Sequence, residues 1–209
     1  MSENSAVGRV VSLHSYPVKS MGAPDLDQVQ VLATGLEHDR GWAVVGEDGA
    51  VVTARQVAGL REMRASAPSA PSGSPSLLLA GAGPLVGDGA AAALSAAIGQ
   101  AVELRPAPTA GPGFNEVAPV HLVSRQAVER AAADEGTHLG DPACSVEQPR
   151  ANVVVELDGD DLETAWVGRE VSMGDVVLRI SRQPKHCLGV YADVVRPGLL
   201  RVGDDVRLG

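Results

Sequence analysis

The chain has 209 residues, of which 44% are hydrophobic and 21% charged, values typical of a folded globular protein with a buried core. With 17 Lys and Arg against 26 Asp and Glu, its net charge is −9, which disfavours nucleic acid or a membrane as partner because both require clustered positive charge. No apolar run approaches the roughly 20 residues of a membrane-spanning helix, and the N-terminus lacks the pattern of a secretory signal. Two cysteines, Cys144 and Cys187, are too few for a disulfide scaffold, so we expect a cytoplasmic location in which either thiol can be free.

The first part of the chain is dominated by predicted strands. Alternating β-branched residues predict strands over 7–14 and 29–32. Since Pro17 cannot donate a ladder hydrogen bond, Lys19 and Ser20 are expected on a loop at a strand end. Residues 42–45 and 51–53 flank the sequence GEDG and predict a hairpin with a four-residue turn.

Helices are predicted in the middle of the chain and short strands after it. A Ser-, Pro- and Gly-rich connection that contains a strand candidate at 77–80 precedes two predicted helices, over 90–98 and 124–133. Gly and Asp turns separate further predicted strands at 153–157, 171–173, 176–181, 190–194 and 199–202. Many short strands without regular strand–helix alternation predict a mainly β fold with a few helices (α+β), arranged as a barrel or a sandwich.

The sequence lacks the motifs that would support several common enzyme classes. The sequence contains no dinucleotide-binding, P-loop or zincin motif and no G-x-S-x-G nucleophile elbow. A zinc site would have to draw on His138, Cys144, His186 and Cys187. Adjacent residues of an extended strand face opposite sides, which disfavours shared ligation by the last two. His14 and His121 lie within apolar strand patterns and are interpreted as core or edge histidines.

Seven short segments occur in a fixed order along the chain. They are YPVKS at 16–20, GLEHDRGW at 35–42, TARQ at 53–56, PRANVVVE at 149–156, WVG at 166–168, LRI at 178–180 and PKHC at 184–187. In order and spacing they resemble the MOSC domain family, named after the C-terminal domain of molybdenum cofactor sulfurases, with the N-terminal β-barrel segment that accompanies it. The resemblance implies an N-terminal β segment over 1–65, the connection over 66–89 and a MOSC β-barrel domain over 90–209, together forming one compact unit.

The resemblance also implies a site for the molybdenum cofactor (molybdopterin). Cys187 matches the cysteine that serves as molybdenum ligand or sulfur carrier. The implied cofactor-binding residues are Lys19, Ser20, Arg40, Thr53, Arg55, Ser124, Arg150 and Asn152. Arg and Lys suit the phosphate of the cofactor, and a thiolate, favoured here by Lys185 and His186, suits the molybdenum.

Each implied site residue also has a plainer interpretation. A single Lys or Arg is usually a solvated surface charge. Ser124 can be only the N-cap of the second helix, and Asn152 can satisfy a local backbone group. Cys187 can be a buried, inert thiol.

The function implied is that of a molybdenum-dependent oxidoreductase that reduces N-hydroxylated or other N-oxygenated small molecules. An external iron–sulfur or flavin protein would supply the electrons, because the chain lacks a cysteine set for a cluster. Two alternatives stay open: a carrier of persulfide sulfur or of the cofactor without turnover, and a metal-free sulfur-chemistry enzyme such as a C–S lyase. The chain departs from the family pattern at Ala151, at His186 and in a shortened segment after Cys187. It also has no room for a desulfurase domain, so no pyridoxal phosphate is expected.

Overall fold

A computed structural model describes residues 5–70, 73–78, 83–108, 113–115, 117–133, 150–159, 161–185 and 187–209. Its strands are β1 (Ala6–Leu13), β2 (Gln28–Leu32), β3 (Gly35–Leu36), β4 (Trp42–Gly46), β5 (Val51–Val52), β6 (Arg64–Ser66), β7 (Ser76–Leu78), β8 (Val102–Pro106), β9 (Val120–Ser124), β10 (Val153–Leu157), β11 (Glu170–Met173), β12 (Val176–Arg182), β13 (Val190–Arg196), β14 (Gly198–Arg201) and β15 (Asp205–Leu208). Two α-helices, α1 (Gly87–Ile98) and α2 (Arg125–Ala133), and two 3₁₀ helices, at Ala58–Arg61 and Glu163–Trp166, complete the described elements. The predicted mainly β fold with a few helices is confirmed.

Seven strands close a barrel in the order β1-β10-β9-β13-β12-β11-β15. Strands β9 and β10 run parallel, with Val153 opposite Leu122, whereas β1 pairs with β10 in the antiparallel sense. Side chains alternate across each strand, so every second residue enters the barrel. Val10, Leu122 and Leu178 are among the apolar residues buried inside it.

The chain divides into two compact units. The first comprises Met1–His14, Asp25–Glu37 and Val117–Gly209, and holds the barrel and the small sheet β14-β2-β3. The second comprises Ser15–Pro24 and His38–Glu116, and holds the sheet β5-β4-β8, the pair β6-β7 and helix α1. This division differs from the predicted boundaries after residues 65 and 89, because β1, β2 and β3 are strands of the barrel unit.

Local predictions correspond closely to the elements found. The hairpin at GEDG is confirmed, with Val45 opposite Val51 and the turn between them. Helix α1 begins earlier than predicted, at Gly87, and ends at Ile98 because Gly99 adopts a left-handed φ of 79°. Strand β8 was not predicted, because its sequence VELRP mixes charge and proline; it is fixed by pairing with β4. No helix in the described ranges is long and apolar enough to cross a membrane.

Candidate functional site

Lys19 and Ser20 lie on a tight turn of the second unit. The backbone N–H of Lys19 donates to the carbonyl of Trp42 at 2.8 Å, and Met21 N–H donates to Val18 O at 3.2 Å. Ser20 has a φ of 72°, a left-handed conformation uncommon for a residue other than glycine. The turn therefore holds a half-buried lysine and serine beside the first residue of β4, in the loop position predicted for them.

Arg40 stabilises the adjoining loop of the same unit through its neighbours. Its guanidinium pairs with the Asp39 carboxylate and lies over the ring of Tyr16, with Cζ 5.6 Å from the ring centroid. The Asp39 Oδ1 atom in turn accepts a hydrogen bond from Tyr16 N–H at 2.8 Å. Since the Arg40 side chain is 18% exposed, its charge is largely committed to this cluster and its remaining donors face a restricted space.

Thr53 and Arg55 follow β5 on an exposed turn. The Thr53 hydroxyl donates to Gln56 Oε1 at 2.8 Å, and Thr53 N–H donates to the same oxygen at 2.8 Å. The threonine thus closes its own turn, whereas Arg55 is exposed to solvent.

Asn152 connects two strands of the barrel unit through its side chain. Its Oδ1 accepts from His121 N–H at 3.1 Å, and its Nδ2 donates to His14 O at 3.2 Å. The backbone of Asn152 bonds the same two residues. Its N–H donates to His121 O at 2.8 Å, and its carbonyl accepts from His14 N–H at 2.9 Å. Because Asn152 has 0% exposure, its amide serves the backbone network, as its plainer interpretation allowed.

Ser124 and Arg150 lie in the same unit and differ in environment. Ser124 is fully buried, and its Oγ accepts from Ala127 N–H at 3.1 Å, so it caps the N-terminus of α2. Arg150 is half-buried and has a φ of 50°. It immediately precedes the buried pair Ala151 and Asn152, which fixes the backbone on its C-terminal side.

Positive φ angles coincide with the predicted site. Four described residues other than glycine have positive φ: Ser20 (72°), His38 (63°), Arg40 (49°) and Arg150 (50°). Each such conformation costs on the order of 1–3 kcal/mol and persists only where the surrounding structure enforces it, often at functional sites. Three of the four are residues for which the sequence predicted cofactor contacts.

Cys187 is disulfide-bonded, and no cysteine among the described residues is free. The sequence allowed either thiol to be free, and in this structure the Cys187 sulfur is bonded instead. A disulfide sulfur is not a thiolate, so Cys187 can ligate a metal only after reduction. The other cysteine of the sequence, Cys144, and the neighbouring His186 lie outside the described residues, as does His138. Among the described residues no group of three or more His, Cys, Asp or Glu side chains could hold a metal ion.

Comparison with known families bears on the N-terminal part of the chain. Residues 7–97 match the family model of the MOSC N-terminal beta barrel domain. This segment is similar to the MOSC N-terminal domain. The match extends beyond the predicted end at residue 65 and includes most of α1, so the Ser-, Pro- and Gly-rich connection falls within the matched segment.

One solved structure similar to this chain is the crystal structure of the YuaD protein from Bacillus subtilis. The two share 14% sequence identity over 97% of this chain and 93% of that chain, with a TM-score of 0.44. No curated protein matches the chain.

The structure also brings together three side chains that the sequence did not single out as a site. Ser12 Oγ lies 2.9 Å from His14 Nε2, and His14 Nδ1 lies 3.2 Å from Asp25 Oδ1. Alternation along β1 signals that Ser12 and His14 share a face. The approach of Asp25 depends on a long-range bridge, for which the sequence carries no local signal.

Proposed function

We propose that this protein is a MOSC protein that binds the molybdenum cofactor and, with it, reduces N-hydroxylated or other N-oxygenated small molecules, using electrons from an external iron–sulfur or flavin protein. The observation that carries the proposal is the coincidence of left-handed backbone at Ser20, Arg40 and Arg150 with cofactor contacts implied by the family resemblance. A left-handed backbone conformation that the surrounding structure imposes on a polar residue other than glycine is characteristic of binding sites.

The cationic residues fit the anionic part of such a cofactor. Within the second unit, half-buried Lys19 and exposed Arg55 supply positive charge for phosphate oxygens, and Arg40 orders its own loop through Asp39 and Tyr16. Within the barrel unit, Arg150 is a half-buried cation. Because the protein has a net charge of −9, either unit needs local cations to hold an anion.

Cys187 can serve as a ligand of the cofactor once its disulfide bond has been reduced. Reduction by a dithiol adds two electrons and two protons to the disulfide, yielding two protein thiols and one oxidised dithiol. The Cys187 thiol then loses its proton to become the ligand. Exposed Lys185, two residues away, favours that loss because a nearby positive charge stabilises a thiolate.

When bound, the cofactor supplies the metal-centred redox chemistry, and the protein binds and orients it. The Cys187 thiolate provides the protein ligand, which is soft, as suits molybdenum held by dithiolene sulfur. The cations neutralise phosphate charge, and Ser20 contributes a hydroxyl donor from its enforced turn. Asn152 and Ser124 do not contact the cofactor in this proposal. Asn152 holds the backbone next to Arg150, and Ser124 caps α2.

Metal and pterin content tests the proposal. The protein is produced in a host that loads a control molybdoenzyme, reduced with dithiol, and assayed for molybdenum by elemental mass spectrometry and for pterin by fluorescence. We expect near-stoichiometric molybdenum in the wild type and its loss in Cys187→Ala. Lys19→Ala and Arg150→Ala should lower pterin content, whereas Arg9→Ala, which removes an exposed surface charge paired with Glu156, should not.

Turnover is tested separately, with benzamidoxime and a chemical electron donor. Reduction by loaded wild type and none by Cys187→Ala supports the oxidoreductase. Full loading without reduction refutes the activity and leaves cofactor storage. Absence of both metal and pterin in a host that loads the control refutes the whole proposal.

A sulfur carrier is the second candidate, because Cys187 already forms an S–S bond in the folded chain. A cysteine that reaches the disulfide oxidation level can hold a persulfide at the same level. In the dithiol-reduced protein, the Cys187 thiolate takes the outer sulfur of a persulfide donor, which leaves as a thiol. Mass spectrometry of reduced protein freed of dithiol and then treated with the donor would show one added sulfur, located on Cys187 by peptide mapping. Its absence after treatment refutes the carrier function.

A further inference from the structure

A serine, a histidine and an aspartate make consecutive polar contacts in the barrel unit, and the molybdenum proposal uses none of the three. Ser12 Oγ lies 2.9 Å from His14 Nε2, and His14 Nδ1 lies 3.2 Å from Asp25 Oδ1. We propose that Ser12 is a base-activated nucleophile that attacks small activated acyl and phosphonyl electrophiles. The order hydroxyl, imidazole, carboxylate, with a different ring nitrogen at each contact, is what serine nucleophile activation requires.

The strand pattern explains why Ser12 and His14 meet. Leu13, between them, enters the barrel core, so both neighbours point to the outer face. The register with β10 shifts between Val10 and Ser12, a bulge that re-aims the following side chains. Residues i and i+2 on one face are close enough for the hydroxyl to reach the ring.

A cross-strand bridge supplies the carboxylate. Leu26 pairs with Leu13 in an antiparallel bridge, and Leu26 N–H donates to Leu13 O at 3.1 Å. In an antiparallel register, the residue before Leu26 stands opposite the residue after Leu13. Asp25 therefore faces His14, and the backbone pairing explains why the two side chains approach each other.

The backbone of His14 is fixed on its other side. Asn152 O accepts from His14 N–H at 2.9 Å, and Asn152 Nδ2 donates to His14 O at 3.2 Å. With the side chain of His14 only 21% exposed, the ring has restricted freedom. Such positioning by neighbouring hydrogen bonds keeps a general base in reach of the proton it removes.

The proposed step conserves atoms and charge. In the tautomer with the proton on Nδ1, Nε2 accepts the Ser12 proton as Oγ bonds to the carbonyl carbon of an ester. The alkoxide or phenoxide leaves with that proton, and water later cleaves the acyl-serine to release the acid. With a fluorophosphonate the same attack expels fluoride, and the phosphonyl group stays on Ser12.

Phosphonylation by an alkyl fluorophosphonate is the direct test. The labelled residue is identified by peptide mass spectrometry, and the rate is compared with that of Ser172, a half-buried strand serine whose hydroxyl meets the Arg207 carbonyl at 3.5 Å. We expect Ser12 to label at least tenfold faster than Ser172. His14→Gln should slow Ser12 labelling about a hundredfold, the usual scale of general-base assistance.

Asp25 is a positioning residue, and its variants separate activation from a purely structural contact. Its side chain is 82% exposed, so Asp25→Asn should slow labelling only about two- to fivefold at low salt, and Asp25→Glu should restore the rate. Hydrolysis of p-nitrophenyl acetate should show a burst of one p-nitrophenol per chain that Ser12→Ala abolishes and Ser172→Ala leaves intact.

Either of two labelling results would overturn the proposal, as would an unchanged burst in Ser12→Ala. One labelling result is equal labelling of Ser12 and Ser172 in the wild type, and the other is wild-type labelling of Ser12 in His14→Gln. Circular dichroism of each variant checks that it is folded. If His14→Gln does not fold, the Asp25 pair and the Ser12→Ala burst decide the outcome, and an unchanged burst in Ser12→Ala refutes the nucleophile.

Discussion

Replacing Asn152 by alanine separates a structural role from cofactor binding at this residue. The amide joins His121 N–H at 3.1 Å and His14 O at 3.2 Å, and the residue has no exposed surface. Alanine removes both bonds and leaves a buried donor and a buried acceptor without their side-chain partner. We therefore expect a loss of stability in the absence of any cofactor.

The magnitude follows from the two orphaned groups. Each buried polar group deprived of its partner costs about 1–3 kcal/mol, so Asn152→Ala should lower the free energy of unfolding by about 2–5 kcal/mol. For a chain of this length, each kcal/mol corresponds to roughly 2–4 °C in Tm. Asn152→Asp should be at least as harmful, because it replaces the amide donor facing His14 O with an acceptor or a buried charge.

The assay is urea unfolding followed by circular dichroism, on protein from a host that does not make the cofactor. Gln28→Ala, at an exposed position of β2, is the control and should change the unfolding free energy by less than about 0.5 kcal/mol. A loss below about 0.5 kcal/mol in Asn152→Ala would refute the network reasoning. Such a result would return Asn152 to the list of cofactor contacts.

Three further variants test the structure locally. Ser124→Ala should lower the unfolding free energy by about 1 kcal/mol, as expected for loss of an N-cap, and an unchanged melting temperature would contradict the cap on Ala127 N–H. Gly189→Ala should fail to fold or lose at least about 1–2 kcal/mol, because its φ is +86° and a Cβ would lie 2.2 Å from Leu122 O; wild-type stability in urea would contradict that geometry. Glu163→Met should raise the unfolding free energy by about 1–3 kcal/mol, since both carboxylate oxygens of this fully buried residue have no hydrogen-bond partner among the described residues; a loss of stability would show that the carboxylate has a stabilising role.

Much of the secondary structure is encoded locally and could be predicted. The GEDG turn between two Val-rich runs specifies its hairpin, and a left-handed Gly99 ends α1 where the apolar pattern stops. Barrel closure could not be predicted in the same way. The parallel pairing of β9 with β10 joins residues that are 31 positions apart, as Val153 opposite Leu122 illustrates, and no local pattern specifies such a partner.

The residue types of the candidate site could be predicted from the sequence, but most of its geometry could not. The family resemblance selected Ser20, Arg40 and Arg150, and the structure gives each a left-handed backbone that no propensity would assign to serine or arginine. Sequence spacing could not tell that the Asn152 amide serves two backbone groups. Nor could it show that Cys187 is disulfide-bonded, since a sequence with two cysteines is equally compatible with free thiols.

We propose that the reduced thiolate of Cys187 holds molybdenum, and a comparison of two cysteine variants tests this most directly. Cys144→Ser and Cys187→Ser are produced side by side in a cofactor-competent host, and the molybdenum-to-protein ratio is measured by elemental mass spectrometry with and without dithiol. Cys144→Ser cannot form an intrachain disulfide, so we predict near-stoichiometric metal without added reductant, and none in Cys187→Ser under either condition. Equal metal content in the two variants would contradict the assignment of Cys187 as ligand.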